Sequence, residues 1–227
     1  MASQRTLCRS VLERLAHAGV LEDVVLIGSW CLEGYKSYFG RKTSLTVLRT
    51  RDIDFLVPWP TRIRTSVDVP ALLEDLGFVI DFHRGGYIRL IHPELIVEFL
   101  VPERGRGVDH PVRLPKLKIN AQALRFLNTL ADNTITATLE GTQVRMPHPA
   151  AFALHKLLIA PRRRGHTGKQ AKDLDAAVAV LEALRVHGEI ESVRKHFESM
   201  PARWKTRIRQ VLDARQELRD WLELLSG

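Results

Sequence analysis

Cysteine is scarce in this sequence, and long apolar runs are missing. The 227 residues include two cysteines, Cys8 and Cys31, which are too few for a disulfide framework and fit a reducing compartment. No stretch approaches the roughly 18 uncharged apolar residues that a membrane-spanning helix needs, and the first residues lack the apolar segment of a secretory signal. We therefore expect a cytoplasmic protein with no membrane partner.

Histidine and cysteine also lack the spacing of a zinc site. The nine histidines include no His-x-x-x-His pair, and no cysteine and histidine stand at a zinc-binding spacing. Repeats and low-complexity tracts are not evident. We expect the histidines to lie on the surface or to pack in the interior, and Cys31 to be a buried structural thiol.

Acidic residues are fewer than basic ones, 26 against 34, so the formal net charge is +8 and the isoelectric point is about 9.9. Such an excess attracts polyanions and speeds their encounter with the protein. The same net charge is equally compatible with a basic protein whose charged residues are simply solvated at the surface. Hydrophobic residues make up 45% of the chain, which is enough to form a core in one large domain or two small ones.

The apolar patterns change from strand-like to helical near Pro147. Before it we predict strands over residues 24–27, 46–57, 78–83, 87–91, 96–101 and 134–144, and helices over 4–18, 30–39, 69–76 and 121–131. After it we predict helices over 149–159, 169–184, 189–197 and 203–225. The predicted fold is α+β, with a mixed, mostly antiparallel sheet flanked by helices in a catalytic domain over 1–147, followed by a helical C-terminal domain over 148–227.

Three carboxylates interrupt two of the apolar strands. Asp52 and Asp54 are two residues apart, so a strand points both to one face, and Glu98 repeats the anomaly on a later strand. A carboxylate inside an apolar strand is costly without a partner, and hard oxygen ligands suit Mg²⁺ or Mn²⁺. The ordinary alternatives are a solvent-exposed strand end for the two aspartates, salt bridges to neighbouring arginines, and an edge-strand carboxylate for Glu98.

A Gly-Ser turn precedes these carboxylates. Gly28 allows a ligand to approach the backbone, Ser29 adds a hydroxyl and an amide donor, and a helix opening directly afterwards would favour a phosphate. By itself the pair is an ordinary turn. Its occurrence before Asp52, Asp54 and Glu98, in that order, predicts a site that transfers a nucleotidyl group with two bound metal ions.

In these elements the chain resembles the DNA polymerase beta-like nucleotidyltransferase superfamily. A helix containing His155-Lys156-Leu157 and a later one containing Lys172-Asp173 resemble the bacterial abortive-infection toxin-like branch. The resemblance implies that Gly28, Ser29, Lys156, Lys172 and Asp173 bind the nucleotide. The alternatives are a helix lysine that reaches solvent for Lys156, and a solvated helix face for Lys172 and Asp173.

Two features depart from the superfamily pattern: the longer spacing from Gly-Ser to Asp-x-Asp, and Glu98 where aspartate is commoner.

The resemblance implies an enzyme that transfers a nucleoside monophosphate from a nucleoside triphosphate, such as ATP, to a hydroxyl acceptor and releases pyrophosphate. RNA or tRNA is the expected acceptor, and a toxin role with an antitoxin partner is implied by the branch. The alternatives are a small-molecule antibiotic as acceptor, and a non-catalytic nucleic-acid-binding protein with a degenerate transferase fold.

Overall fold

A mixed β-sheet is built from strands that lie between residues 25 and 124. The computed structural model describes residues 3–40, 45, 50–83, 85–105, 110–163 and 167–225. These residues divide into two compact units, one within 1–37 and 47–147 and the other within 38–46 and 148–227.

Among the described residues, the first unit contains every strand, together with all or most of four α-helices. The helices are α1 (Gln4–His17), α2 (Cys31–Phe39), α3 (Val69–Glu74) and α4 (Asn128–Asp132). The strands are β1 (Val25–Ile27), β2 (Asp52–Leu56), β3 (Val79–Phe82), β4 (Ile88–Ile91), β5 (Ile96–Pro102), β6 (Val112–Leu114), β7 (Ile119–Leu124), β8 (Thr134–Leu139) and β9 (Thr142–Pro147).

Strand order in the main sheet is β1-β2-β5-β4-β3, and β7 continues beside β5 with β6 as its outer neighbour. The β2–β5 and β5–β7 pairs are parallel, whereas the other pairs are antiparallel. Strands β8 and β9 form a separate hairpin. The predicted α+β class with a mixed, mostly antiparallel sheet is therefore confirmed.

The two faces of the central strands differ in character. On one face Phe55 and Phe99 stack with ring centroids 5.5 Å apart. On the other face Leu56 and Leu100 belong to a buried apolar cluster that includes Leu130 of α4. This second face is also the one that carries Asp54, because residues two apart on a strand share a face.

The second unit is helical. It contains α5 (Pro149–Ile159), α6 (Thr167–Val186), α7 (Ile190–Glu198), α8 (Ala202–Asp213) and α9 (Asp220–Leu224). Helix α5 is buried along almost its whole length and packs against α6, α7 and α8, so it forms the core of this unit. Among the described residues, every helix is too short or too polar to traverse a bilayer.

Three local predictions were wrong. The helix predicted over 121–131 is instead strand β7 followed by α4, because pairing with β5 and β6 outweighs the helix propensity of its alanine and leucine residues. Residues 102–115, which their glycine, proline and arginine content predicts to be a loop, contain β6. The single helix predicted over 203–225 is divided between α8 and α9, since Arg215 adopts an extended conformation. Residues 46–49 of the predicted second strand lie outside the described residues.

Candidate active site

The parallel pairing of β2 and β5 brings two of the predicted carboxylates side by side. Asp54 and Glu98 are direct register partners, and Asp52 lies two residues before Asp54 on the same face. Neighbouring strands are about 4.8 Å apart, so Asp54 and Glu98 are adjacent. Glu98 is not an edge-strand residue, because β5 lies between β2 and β4.

The three carboxylates differ in exposure. Asp52 stands at the beginning of β2 and is exposed to solvent, which fits the strand-end interpretation of this residue, whereas Asp54 and Glu98 are half-buried. The residues between and beside them, Ile53 and Val97, are buried on the opposite face. The alternation therefore directs apolar side chains into the core and the acidic ones to the other side of the sheet.

The Gly-Ser turn is adjacent to Asp54. Ile27, the last residue of β1, is the register partner of Asp54, and Gly28 follows with φ of +78°. A β-carbon at Gly28 would overlap Oδ2 of Asp54 and lie 3.3 Å from its Cγ atom. Only glycine satisfies both the backbone conformation and this close approach. Helix α2 begins at Cys31, one residue after the predicted start, and ends at Phe39 as predicted.

The carboxylate oxygens of the three predicted ligands are chemically suited to a hard divalent cation. All three predicted ligands are carboxylates on one face, and oxygen ligands are those that Mg²⁺ and Mn²⁺ prefer. Among the described residues, however, no three His, Cys, Asp or Glu side chains converge into a preformed metal cluster. Asp54 and Glu98 are thus adjacent without forming a closed cage with Asp52.

A charged row extends beyond Glu98 and was missed by the sequence reasoning. Arg89 on β4 is the register partner of Glu98, and Asp81 on β3 is the register partner of Arg89. The Nε and Nη2 atoms of Arg89 donate to Oδ2 of Asp81 at 2.9 and 2.5 Å. The alternation of Arg89 and Ile91 with the more deeply buried Ile88 and Leu90 along β4 was the available signal, but it does not identify the neighbouring strand.

The charge of Glu98 affects the pKa values of two neighbouring residues, Tyr87 and Arg89. The hydrogen bond to Asp81 is the main cause that raises the pKa of the Arg89 guanidinium, and the charge of Glu98 raises it further. Burial raises the pKa of the Tyr87 phenol, and Glu98 is the next cause. Tyr87 and Arg89 therefore both lie within the field of the Glu98 carboxylate.

The second unit contains the other predicted site residues, and two of them form a buried ion pair. Nζ of Lys156 donates to Oδ1 of Asp173 at 2.6 Å, and Nε of Arg163 donates to Oδ2 at 3.1 Å. Lys156 is 9% exposed and Asp173 5%. A lysine reaching into solvent is therefore the wrong interpretation of Lys156, and a solvated face is wrong for Asp173. Lys172 is exposed.

The comparisons with known proteins agree with this class of site. A family model described as nucleotidyltransferase matches residues 6–201, so the chain belongs to the nucleotidyltransferases and is an enzyme of that class. The superfamily expected from the motifs is confirmed, and the toxin-like branch stays a prediction. A search of curated proteins finds no match.

Two solved structures are distantly similar. The crystal structure of ANT(2")-Ia in complex with adenylyl-2"-tobramycin shares 16% sequence identity, covers 86% of this chain and 98% of that one, and has a TM-score of 0.47. The crystal structure of an antigenic nucleotidyltransferase-like protein from Paracoccidioides brasiliensis shares 13% identity, covers 84% and 91% of the two chains, and has a TM-score of 0.40. Both are too distant to bear on the substrate.

Proposed function

We propose that this nucleotidyltransferase moves a nucleoside monophosphate from a nucleoside triphosphate to a hydroxyl acceptor, with Asp52, Asp54 and Glu98 as its catalytic carboxylates. The observation that carries the proposal is the direct pairing of Asp54 with Glu98 on parallel strands. The contact between Gly28 and the Asp54 carboxylate supports it further, because the turn and the acids share one location.

Mg²⁺ or Mn²⁺ is the proposed cofactor, held by Asp52, Asp54 and Glu98. A bound cation would supply positive charge to the triphosphate and to the attacking oxygen. The oxygen donors and their common face support this assignment.

The reaction exchanges one phosphorus–oxygen bond for another. The acceptor oxygen bonds to the α-phosphorus while the bond to the bridging oxygen breaks, and pyrophosphate leaves. Glu98 takes the proton of the acceptor hydroxyl. Gly28 and Ser29 hold the β- and γ-phosphates, because the turn lies beside Asp54 and provides the hydroxyl of Ser29 and the start of α2.

Nucleotide binding by Lys156, Lys172 and Asp173 is part of the same proposal. The cluster around Asp173 contains two cations, Lys156 and Arg163, for one carboxylate, and such an excess of positive charge suits a phosphate. Lys172 adds an exposed ammonium group next to Asp173 in the sequence.

RNA is the proposed acceptor, with a tRNA end as the specific substrate in a toxin-like role. The net charge of +8 supports a polyanion. An antibiotic acceptor, or RNA binding without chemistry, would be alternative outcomes of the same experiment.

The test uses purified protein, α-labelled nucleoside triphosphates, Mg²⁺ or Mn²⁺, and either total RNA or a panel of hydroxyl-bearing antibiotics. Label transfer that disappears in Asp52→Asn and persists in the control Asp132→Asn, an exposed residue of α4, supports the enzyme. Binding of RNA without transfer, unchanged in Asp52→Asn, would refute it. For the toxin role, expression should arrest growth and Asp54→Ala should relieve the arrest.

A further inference from the structure

Glu98 has a carboxylate on one side and a cation on the other. Across the sheet the register partners run from Asp54 on β2 to Glu98 on β5, Arg89 on β4 and Asp81 on β3. Register partners share a face and stand about 5 Å apart. Across the sheet the row therefore consists of two neighbouring carboxylates, then a guanidinium, then a third carboxylate.

Two adjacent carboxylates repel each other. Without a cation beside them, the like charges of Asp54 and Glu98 would favour orientations that separate the two carboxylates. The Arg89 guanidinium offsets this repulsion from the side opposite Asp54. Its position thus affects where the Glu98 carboxylate rests.

Arg89 is itself fixed. Two of its nitrogens donate to the same oxygen of Asp81, and the side chains of the pair are 29% and 35% exposed, so the guanidinium is held against the sheet. An arginine without such an anchor would extend over Glu98 as a bidentate partner and withdraw both carboxylate oxygens from the reaction. Asp81 competes for the guanidinium and restrains it.

We infer that Arg89, anchored by Asp81, is a positioning residue that holds Glu98 in its reactive orientation. This inference rests on the proposed function, in which Glu98 takes the acceptor proton. A cross-strand ion pair that only stabilises the sheet is the competing explanation, and it predicts loss of stability without a specific loss of turnover.

A double-mutant cycle between Arg89 and Glu98 separates the two explanations. Arg89→Gln should lower kcat about 10- to 100-fold with little change in KM for the nucleoside triphosphate, because misplacement of a reacting group is costly. In the Glu98→Gln background the same change should cost less than about twofold, since its target is gone. Arg89→Lys, which keeps the charge, should recover part of the loss.

The control is Arg125→Gln. Nε of Arg125 donates to Glu103 at 2.8 Å in the same unit. This substitution therefore breaks a comparable ion pair that does not include Glu98. Its kcat should equal that of the wild type. Equal effects of Arg89→Gln in both backgrounds, or a loss that only follows the unfolding temperature, would overturn the inference.

A second measurement does not depend on turnover. Titration with Mn²⁺, followed by electron paramagnetic resonance, should show about 10-fold weaker binding to Arg89→Gln than to the wild type, because Glu98, a proposed ligand, is no longer held in its orientation. An Arg89 that only stabilises the sheet predicts equal or tighter binding, since a positive charge beside the carboxylates is removed. Arg125→Gln should bind like the wild type. If the wild type transfers no label, the proposed function fails and this comparison alone decides whether Arg89 holds Glu98; unchanged or tighter Mn²⁺ binding in Arg89→Gln would refute the inference.

Discussion

The α-carbon of Gly28 lies so close to the Asp54 carboxylate that no larger residue fits between them. A β-carbon there would overlap Oδ2, and the backbone is in the left-handed region with φ of +78°. The turn after β1 and the acidic strand β2 thus constrain each other, and a change in the turn has direct consequences for the candidate active site.

Gly28→Ala should destabilise the protein and displace Asp54. We expect a loss of about 1–2 kcal/mol from the left-handed conformation and about 1–3 kcal/mol more from the overlap. Gly141→Ala is the matched control, because Gly141 has φ of +89° and a β-carbon there would meet no atom within 4 Å. Urea unfolding measures both. If the two variants lose equal stability, the overlap with Asp54 carries no cost.

Two substitutions of Glu98 distinguish the effect of its charge from the effect of its side-chain length. Glu98→Gln should lower turnover about 10²- to 10⁴-fold, because a general base is lost. Glu98→Asp, which restores the commoner family residue, should retain measurable activity. The control is Glu94→Gln, an exposed residue just before β5. Label transfer under saturating nucleotide gives the rates, and equal activity of Glu98→Gln and wild type would exclude Glu98 from the chemistry.

Breaking the buried ion pair of the second unit should cost far more than breaking an exposed one. Lys156→Met leaves Asp173 buried with only Arg163, so we expect a loss of about 3–5 kcal/mol of unfolding free energy. Lys205→Met removes a pair with Glu198 at 2.7 Å whose glutamate is largely exposed, and should cost less than about 1 kcal/mol. Denaturant unfolding compares them, and similar losses would contradict the burial argument.

His155 should make stability depend on pH below neutrality. Burial lowers the pKa of His155 to about 3, and the charge of Lys156 adds to the effect. In the unfolded chain the His155 imidazole therefore binds a proton near pH 6.5. In the folded protein it becomes protonated only near pH 3. The free energy of unfolding falls as the pH drops through this window and is unaffected above it.

His155→Leu should remove that part of the pH dependence. The difference in unfolding free energy between pH 7.5 and pH 4.5 should shrink by about 2–3 kcal/mol in this variant. His17→Gln, at an exposed position, should leave the difference unchanged. An unaltered pH dependence in His155→Leu would show that the histidine ionises without penalty.

Local patterns in the sequence predicted most of the elements around the site. The apolar run before Gly28 predicted β1, the alternation at Asp52 and Asp54 predicted a strand with both acids on one face, and the pattern after residue 30 predicted α2. The roles of these residues in catalysis and metal binding stay predictions.

Features that depend on burial or on distant partners could not be predicted. The sequence of α5 is apolar almost throughout, which is typical of a buried helix, but it does not identify the partner of Lys156. Only the packing of α5 against α6 pairs this lysine with Asp173. The strand β7 was taken for a helix for a related reason, since its conformation is decided by pairing with two other strands.

By itself the sequence determined which acids share a face, because alternation along a strand is a property of the local backbone. Tertiary structure alone decided that β5 lies beside β2 and that Glu98, rather than Ile96 or Leu100, pairs with Asp54. It also placed Arg89 on the far side of Glu98. Strand order and register depend on contacts between segments far apart in the chain, where a shift of one residue reverses the face of every side chain.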